Sequence, residues 1–320
     1  MMKKINFNKP SRYELEQSGT RLASSLIRYA FLIAIAYVVI VQLVYILSFA
    51  LRSPDEVYDA SIVWVPKTFT LQNFKTAFKA LDYMKTVSTT LGIQVLSGLI
   101  EVFTCSVAAY GFARFNFRGK NAMFVIVLIM ILVPPQMTAV SMSLNYAHFD
   151  FFGILNLLGN IFEKELRPNL LNTGFVFWLP SAFGVGLRSG LFIFIYRQFF
   201  KGLPKELEEA ASIDGANAFT TFSRVVLPSS GVAFLTVAIF SVVWHWNDYY
   251  LSVLYFVEDF PLSVSLAQLG NSMYLMGGAF NSSLAVNMAA CTLYILPVLI
   301  MYFILQRKFI SSIDRVGIVG

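Results

Sequence analysis

Six long apolar segments constrain the fold of this chain more than any other feature of its sequence. Each is near or above the roughly 20 residues that a helix needs to cross a bilayer. In lipid, backbone N–H and C=O groups must be satisfied within the chain, which favours helices for segments of this length. The charged fraction of 13% is far below the roughly 25% usual in soluble domains. The sequence therefore predicts an all-α, polytopic membrane protein with six transmembrane helices, over residues 29–51, 87–113, 123–144, 174–196, 231–256 and 284–305.

The distribution of Lys and Arg predicts the orientation of these spans. Sixteen of the 24 lie in the two terminal segments and in the connectors after the second and fourth spans, whereas seven lie in the other connectors. Short cytoplasmic loops carry an excess of Lys and Arg. We therefore expect a cytoplasmic N-terminal arm (1–28), a six-span domain (29–306) and a cytoplasmic C-terminal tail (307–320).

Several classes of function find no support in the sequence. The net charge of +6 arises from short flanks around apolar segments, which fits membrane topology better than nucleic-acid binding. Cys105 and Cys291 both lie in apolar segments, so no disulfide framework is indicated. His148 and His245 are isolated, and no cluster has the spacing of metal ligands. No GxxxxGK[ST] motif occurs, so we expect no ATP site of that kind, no catalytic residues, no metal and no cofactor in this chain.

The polar connector between the fourth and fifth spans, residues 202–230, is called the elbow below because it reads as two short helices joined by a turn. Glu206, Glu208 and Glu209 fall where the positive end of a helix dipole favours negative charge. Asp214-Gly215 is typical of a turn, since Gly can adopt the positive φ that ends a helix. An ordinary capped connector would show the same local features.

The spacing within the elbow adds a resemblance to a known family. It resembles the EAA loop of ABC-importer permeases at these positions: Glu209, Ala210, Ala211, Asp214, Gly215, Leu227 and Pro228. The resemblance implies that the elbow is the cytoplasmic coupling helix, which docks on an ATPase subunit. It also implies that ATP-Mg is bound by that partner and not by this chain.

Further stretches are similar to carbohydrate permeases of the maltose/maltodextrin type, and to their smaller, six-span membrane subunit. They are Trp64-Val65-Pro66, residues 109–120, Val133-Pro134-Pro135-Gln136, residues 244–248 and Gln306-Arg307-Lys308-Phe309. The resemblance implies a prokaryotic cytoplasmic (inner) membrane protein. Its implied partners are a second permease, an ABC ATPase homodimer or pair, an extracytoplasmic solute-binding protein and a carbohydrate substrate.

Ionisable and aromatic residues inside the spans are candidates for the substrate path, since charge is costly in a membrane. Arg188 lies in a segment interrupted by Pro and Gly, of a kind that can line a cavity, or it pairs with another helix. Glu101 is either a path residue or a buried structural carboxylate. The third candidate group could stack on and hydrogen-bond a sugar, or form an aromatic belt at the membrane interface; it comprises Trp244, Trp246, Asn247 and Asp248.

Three hypotheses follow for function. The first is a permease subunit of an ATP-driven carbohydrate importer, which forms a translocation path with a second permease. The second is a stand-alone secondary transporter driven by an ion gradient, which would need midplane carboxylates such as Glu101. The third is a membrane scaffold that transports nothing. Acidic, neutral and branched oligosaccharides all remain open as substrates of the first.

Overall fold

A computed structural model describes residues 12–62, 64–162, 164–275 and 283–317. Parts of the predicted N-terminal arm, C-terminal tail and third outer connector (257–283) lie outside these ranges. The described chain is helical, and its long helices run through both predicted domain boundaries. The helices are α1 Arg12–Ala50, α2 Gln72–Ala80, α3 Tyr83–Thr90, α4 Leu96–Arg114, α5 Lys120–Leu132, α6 Pro135–Ala147, α7 Ile154–Phe162, α8 Phe175–Ala182, α9 Ser189–Gly202, α10 Glu206–Ile213, α11 Ala218–Thr221, α12 Leu227–Ser229, α13 Gly231–Trp246, α14 Tyr250–Tyr255, α15 Leu262–Ala267, α16 Leu269–Leu275 and α17 Ser283–Gly317.

Within the described ranges, three helical stretches are long and apolar enough to cross a membrane. They are Arg21–Ala50, Tyr83–Arg114 and Leu284–Arg307. The second joins α3 to α4 through a π-helical turn at Leu91–Val95. Two bent helix pairs, α5 with α6 and the end of the elbow with α13, bring the number to five if each pair is one span. The α-helical membrane fold is thus confirmed, and the count of six spans stays a prediction.

The third and fourth predicted spans are both interrupted. α5 and α6 meet at an angle of 100° around Pro134. Proline has no N–H to donate and disfavours a helical residue before it, and Val133 is accordingly extended. The fourth span is split between α8 and α9, with Gly184 and Arg188 in the left-handed region (φ 69° and 66°) between them. Both interruptions face the cavity described below.

Helix α4 lies at the centre of the bundle. It packs against α8, α9 and α13, and α5 packs against α9. One apolar core joins α4, α5, α9 and α13 to the second half of the elbow. A second core joins the ends of α1 and α2 to α15, α16 and α17, and a third joins α6, α8 and α14. The elbow is therefore supported from beneath by the same core that holds the central spans.

Candidate functional site

The turn of the elbow is formed as the sequence predicts. Gly215 has a φ of 81°, in the left-handed region. The amide of Ala216 donates to the Ala211 carbonyl at 2.9 Å, and the amide of Gly215 donates to the Ser212 carbonyl at 3.1 Å. These two bonds make a Schellman motif, in which a left-handed residue closes the end of a helix. The angle between the two halves of the elbow is thus set by its own hydrogen bonds.

The first half of the elbow is fixed to the bundle by a partly buried ion pair. An oxygen of Glu208 lies 2.5 Å from Nε of Arg114, the last residue of α4. The second Glu208 oxygen accepts a hydrogen bond from the Tyr110 hydroxyl at 3.1 Å. Arg114 also donates to the Leu203 carbonyl at 2.9 Å, just before α10. A displacement of α10 would therefore be transmitted directly to α4.

The two faces of α10 differ in burial. Ala211 lies on the inner face with Glu208 and is 9% exposed. Glu209 and Ala210 are exposed on the outer face, as is Asp214 at the end of the helix. Three large apolar side chains of the elbow are exposed beside them: Leu207, Ile213 and Phe219. The outer face is therefore a small, partly apolar surface. No described residue covers it.

The second half of the elbow leads into α13. The Asn217 Oδ1 accepts a hydrogen bond from the Thr220 amide at 2.9 Å and so caps α11. A π-helical turn over Phe222–Val226 then precedes Pro228, which has no N–H to donate. Leu227 packs against the core beneath, while Pro228 is exposed. The helix continues through Pro228 to Ser229.

A cavity of about 1120 Å³ opens between α5/α6 and α8/α9, with α14 completing its wall. Its lining is mainly apolar and aromatic, with a few polar groups, which is typical of ligand sites. The aromatic members include Tyr146, Phe149, Phe151, Phe152, Phe177, Phe183 and Tyr255. The polar members include Thr138, Asn145, Asp150, Arg188 and Ser189. The cavity thus combines flat apolar surfaces with hydrogen-bonding groups.

Arg188 is the candidate path residue that the structure places in this cavity. It immediately precedes α9, and its guanidinium carbon lies 5.6 Å from the ring centroid of Trp244. Within the described part of the chain it forms no ion pair, and its side chain is exposed. The break between α8 and α9 therefore presents a cation to the cavity.

Glu101 occupies a different position, fully buried behind the cavity wall. Its carboxylate accepts hydrogen bonds from the hydroxyls of Ser189 on α9 and Ser241 on α13, the latter at 3.2 Å. His245 Nδ1 lies 3.7 Å from the same carboxylate. At Gly186, a Cβ atom would lie 3.0 Å from a Glu101 oxygen, so the broken fourth span approaches closely here. The geometry favours a structural link between three helices over contact with a substrate.

The other four candidates lie on or after the end of α13 and have other partners. Trp244 stacks on Phe240 at 5.5 Å, and Trp246 is 2% exposed in the second core. Asn247 is exposed and accepts a hydrogen bond from the Tyr294 hydroxyl at 3.0 Å.

Asp248 is buried and caps α14. Its carboxylate accepts hydrogen bonds from the amide and the hydroxyl of Ser252, both at 2.9 Å. Its carbonyl accepts one from the Ser263 hydroxyl at 2.7 Å. These four residues do not line the cavity in this conformation, and their contact with a substrate stays a prediction.

Sequence reasoning missed two groups that matter to the site. Arg114 and Glu208 lie 94 residues apart in the chain, and neither the count of Lys and Arg nor the helix-dipole argument predicts that they pair. The aromatic wall at Phe149, Phe151 and Phe152 lies in a predicted outer connector and not in a span. The available signal was the run Phe149-Asp150-Phe151-Phe152, which places three aromatic residues within four positions of that connector.

Comparison with known proteins gives the context for this geometry. Residues 102–315 match the family of binding-protein-dependent transport system inner membrane components. A permease named for starch degradation products, from Thermoanaerobacterium thermosulfurigenes, is 29% identical over 78% of this chain and 81% of its own. An arabinooligosaccharide permease from Halalkalibacterium halodurans is 26% identical over 89% of this chain and 93% of its own.

The fold has a counterpart among solved structures. The crystal structure of a bacterial ABC transporter involved in the import of the acidic polysaccharide alginate matches with a TM-score of 0.68 and 18% identity, over 94% of this chain and 99% of the matched chain. Since the family match spans more than half of the chain, the protein is a transport component and not an enzyme. The chain belongs to the family of inner membrane components of binding-protein-dependent transport systems.

Proposed function

We propose that this chain is one of two permeases of an ATP-driven carbohydrate importer in a prokaryotic cytoplasmic membrane. The observation that carries this proposal is the elbow, a polar helix–turn–helix that the Glu208–Arg114 pair fixes to the central helix α4. The elbow lies in a chain that belongs to a family of transport components. The ATPase pair would bind ATP-Mg, and a solute-binding protein would deliver the sugar from outside. This chain would bind no cofactor.

The elbow is the proposed contact with the ATPase. Glu209, Ala210 and Asp214 lie on its exposed face, and Gly215 sets its angle. Ala211, Leu227 and Pro228 would support or border the contact. Closure of the ATPase pair would move the elbow as a rigid body and, through Arg114, rock α4 between inward- and outward-facing states. The excess of Lys and Arg in the two terminal segments and in the connectors after the second and fourth spans supports a cytoplasmic elbow and cytoplasmic termini.

Carbohydrate is the proposed substrate class because two observations favour it. The relatives named above are described as permeases for starch degradation products and arabinooligosaccharides. The cavity also combines aromatic faces, which suit the apolar faces of pyranose rings, with hydrogen-bonding groups such as Asn145 and Arg188. We assign Arg188 to the substrate path on this basis, in a cavity that the second permease would close.

The test is to tag the chain, extract the native membrane in mild detergent and identify what co-purifies by mass. Recovery of a second permease with an ATPase supports the proposal, and uptake of labelled oligosaccharides by the reconstituted complex identifies the sugar. Changing Glu209 and Gly215 should release the ATPase and leave the second permease bound. Recovery of the chain alone, with solute uptake driven by an ion gradient, would contradict the proposal in favour of a secondary transporter.

A further inference from the structure

A second recess, of about 420 Å³, lies where α9 ends and α5 begins, at the end of the bundle that carries the elbow. It is lined by residues 116, 117 and 119–122 together with Arg197 and Lys201. Three of these are cations, Lys120, Arg197 and Lys201, and none of the lining residues is acidic. Positive charge is thus concentrated in a concave site that the transport function does not explain.

Two of the three cations are held in place without being neutralised. Lys120 donates from Nζ to the Phe115 carbonyl at 2.7 Å. The guanidinium carbon of Arg197 lies 3.7 Å from the centroid of the Phe124 ring. In the described part of the chain, neither of them nor Lys201 forms an ion pair with a carboxylate. The recess therefore has positive charge that no carboxylate compensates, and contacts within the chain hold two of its three cations.

The first turn of α5 adds to this charge. Lys120 begins the helix, where the dipole is already positive and a cation is unfavourable. Gly119 precedes it and has no side chain with which to cap the exposed amides. An anion in the recess would offset both effects, since helix N-termini favour bound negative charge.

The surface beside the recess indicates which anion fits. Along α5, directly beyond Lys120, four apolar side chains are at least half exposed. They are Met123, Val125, Ile126 and Ile129. A ligand with an anionic head and long apolar chains would contact both surfaces, whereas a free phosphate would contact the recess alone. Basic pockets between transmembrane helices bind the head groups of anionic lipids in this way.

We propose that this recess binds the phosphate of an anionic phospholipid, whose acyl chains lie along α5. Lys120 and Lys201 would contact the phosphate directly, and Arg197 would complete the positive field. The site would anchor the ends of α5 and α9 at the level of the head groups, next to the elbow. It is separate from the cavity that contains Arg188.

The experiment uses the purified permease complex, delipidated and then titrated with phosphatidylglycerol or phosphatidylcholine under native mass spectrometry. The wild type should retain one phosphatidylglycerol more tightly than phosphatidylcholine. Each Lys near an anionic lipid contributes about fivefold in affinity, so Lys120→Gln with Lys201→Gln should weaken that binding about 25-fold. Arg118→Gln is the matched control, because Arg118 lies in the same connector and does not line the recess.

Three results would overturn the proposal. They are equal binding of the two lipids, an equal loss of binding in the Arg118→Gln control, and displacement of phosphatidylglycerol by millimolar inorganic phosphate. Displacement by inorganic phosphate would assign the recess to a soluble anion. Equal binding of the two lipids would be expected if the partner permease covers α5. A thermal unfolding scan of each variant in the same detergent establishes that the double variant is folded.

Discussion

An oxygen of Glu208 lies 2.5 Å from Nε of Arg114, which joins the first helix of the elbow to the end of α4. The two side chains are 18% and 8% exposed, so water screens the pair little. Removing one partner of a buried pair leaves the other charge uncompensated at a cost of about 3–5 kcal/mol, and this partly exposed pair falls at the lower end of that range. The pair is therefore well placed to transmit force between the elbow and the spans.

Glu208→Gln should loosen α10 without unfolding the bundle. A cost of about 3 kcal/mol corresponds to amide hydrogen exchange in α10 that is faster by on the order of 100-fold. We also expect less sugar imported per ATP hydrolysed, because α10 would move without moving α4. Hydrogen exchange with mass spectrometry and paired uptake and hydrolysis assays measure these effects.

Glu206→Gln is the control for this prediction, since Glu206 lies in the same turn and is exposed. It should change neither measurement appreciably. In the double variant Arg114→Gln with Glu208→Gln, the loss should be smaller than the sum of the two single losses, because no charge is left unpaired. Additive losses would show that the two residues act independently.

Gly215→Val should distort the elbow through its backbone alone. No atom lies within 4 Å of the position of a Cβ there, so the cost arises from the φ of 81°. A non-glycine residue held in that region costs about 1–3 kcal/mol, and Val is poorly suited to it. We expect ATP hydrolysis that no longer supports uptake in the assembled complex.

The matched control is Gly202→Val, since a Cβ at Gly202 also meets nothing within 4 Å and its φ is not positive. It should retain uptake. Gly215→Asn should restore part of the activity lost in Gly215→Val, because Asn tolerates the left-handed region. Full uptake by Gly215→Val would remove the assigned role of the turn.

The sequence predicts the elements of this fold better than it predicts their interruptions. The length of each apolar segment locates the spans, because whether a segment is buried in lipid depends on its own composition. The sequence predicts the third span as one segment over residues 123–144, whereas its 100° bend at Pro134 depends on what α5 and α6 pack against. Likewise Gly215 predicts a turn from local chemistry, whereas the Glu208–Arg114 contact depends on the packing of helices that are distant in sequence.

Arg188→Gln should impair import through substrate binding. Arg188 lines the cavity and has no carboxylate partner among the described residues, so a sugar hydroxyl or carboxylate is its expected partner. A hydrogen bond to a charged group contributes about 1.5–3 kcal/mol, which predicts a 10- to 100-fold higher KM for uptake. Arg188→Lys should retain part of the affinity. Assembly with the ATPase should not change.

Arg167→Gln is the control, since Arg167 lies in an outer connector and does not line the cavity. Loss of assembly in Arg188→Gln, with no change in KM for the complex that remains, would indicate that Arg188 pairs with the second permease instead.

The candidates near the end of α13 show why their roles were hard to predict. Asp248 and Trp246 are of residue types that a sugar path would use. Only the packing of the helices shows that both are buried against other parts of the chain.

Glu101→Gln should destabilise the bundle and leave the energy source of transport unchanged. The carboxylate accepts bonds from Ser189 and Ser241, whereas an amide has one acceptor oxygen and a donor group that would face a hydroxyl. We expect a loss of about 1–3 kcal/mol, visible as a lower thermal midpoint of the complex. Glu165→Gln, an exposed change in the outer connector, should not lower it.

The same variant discriminates between the two transport mechanisms. In an ATP-driven importer, uptake into vesicles that contain ATP should continue after a protonophore collapses the proton gradient, in the wild type and in Glu101→Gln. A secondary transporter coupled through Glu101 would lose uptake when the protonophore is added and also in the Glu101→Gln variant. Uptake that stops with the protonophore while ATP is maintained would therefore contradict the proposed function.

Ala210→Leu and Ala211→Leu make the same change on adjacent residues, one exposed and one buried, so together they separate docking from folding. Ala211 is 9% exposed against the bundle, and extra volume there should overpack the core and destabilise α10 by about 1–3 kcal/mol. Ala210 is exposed, so Leu there should leave hydrogen exchange in α10 unchanged and reduce the ATPase recovered with the tagged chain. If Ala210→Leu retains the ATPase while Ala211→Leu loses it, the ATPase contact depends on the position of the elbow and not on its outer face. Loss in Ala210→Leu with α10 intact would place the docking surface on the face that Glu209 and Ala210 share.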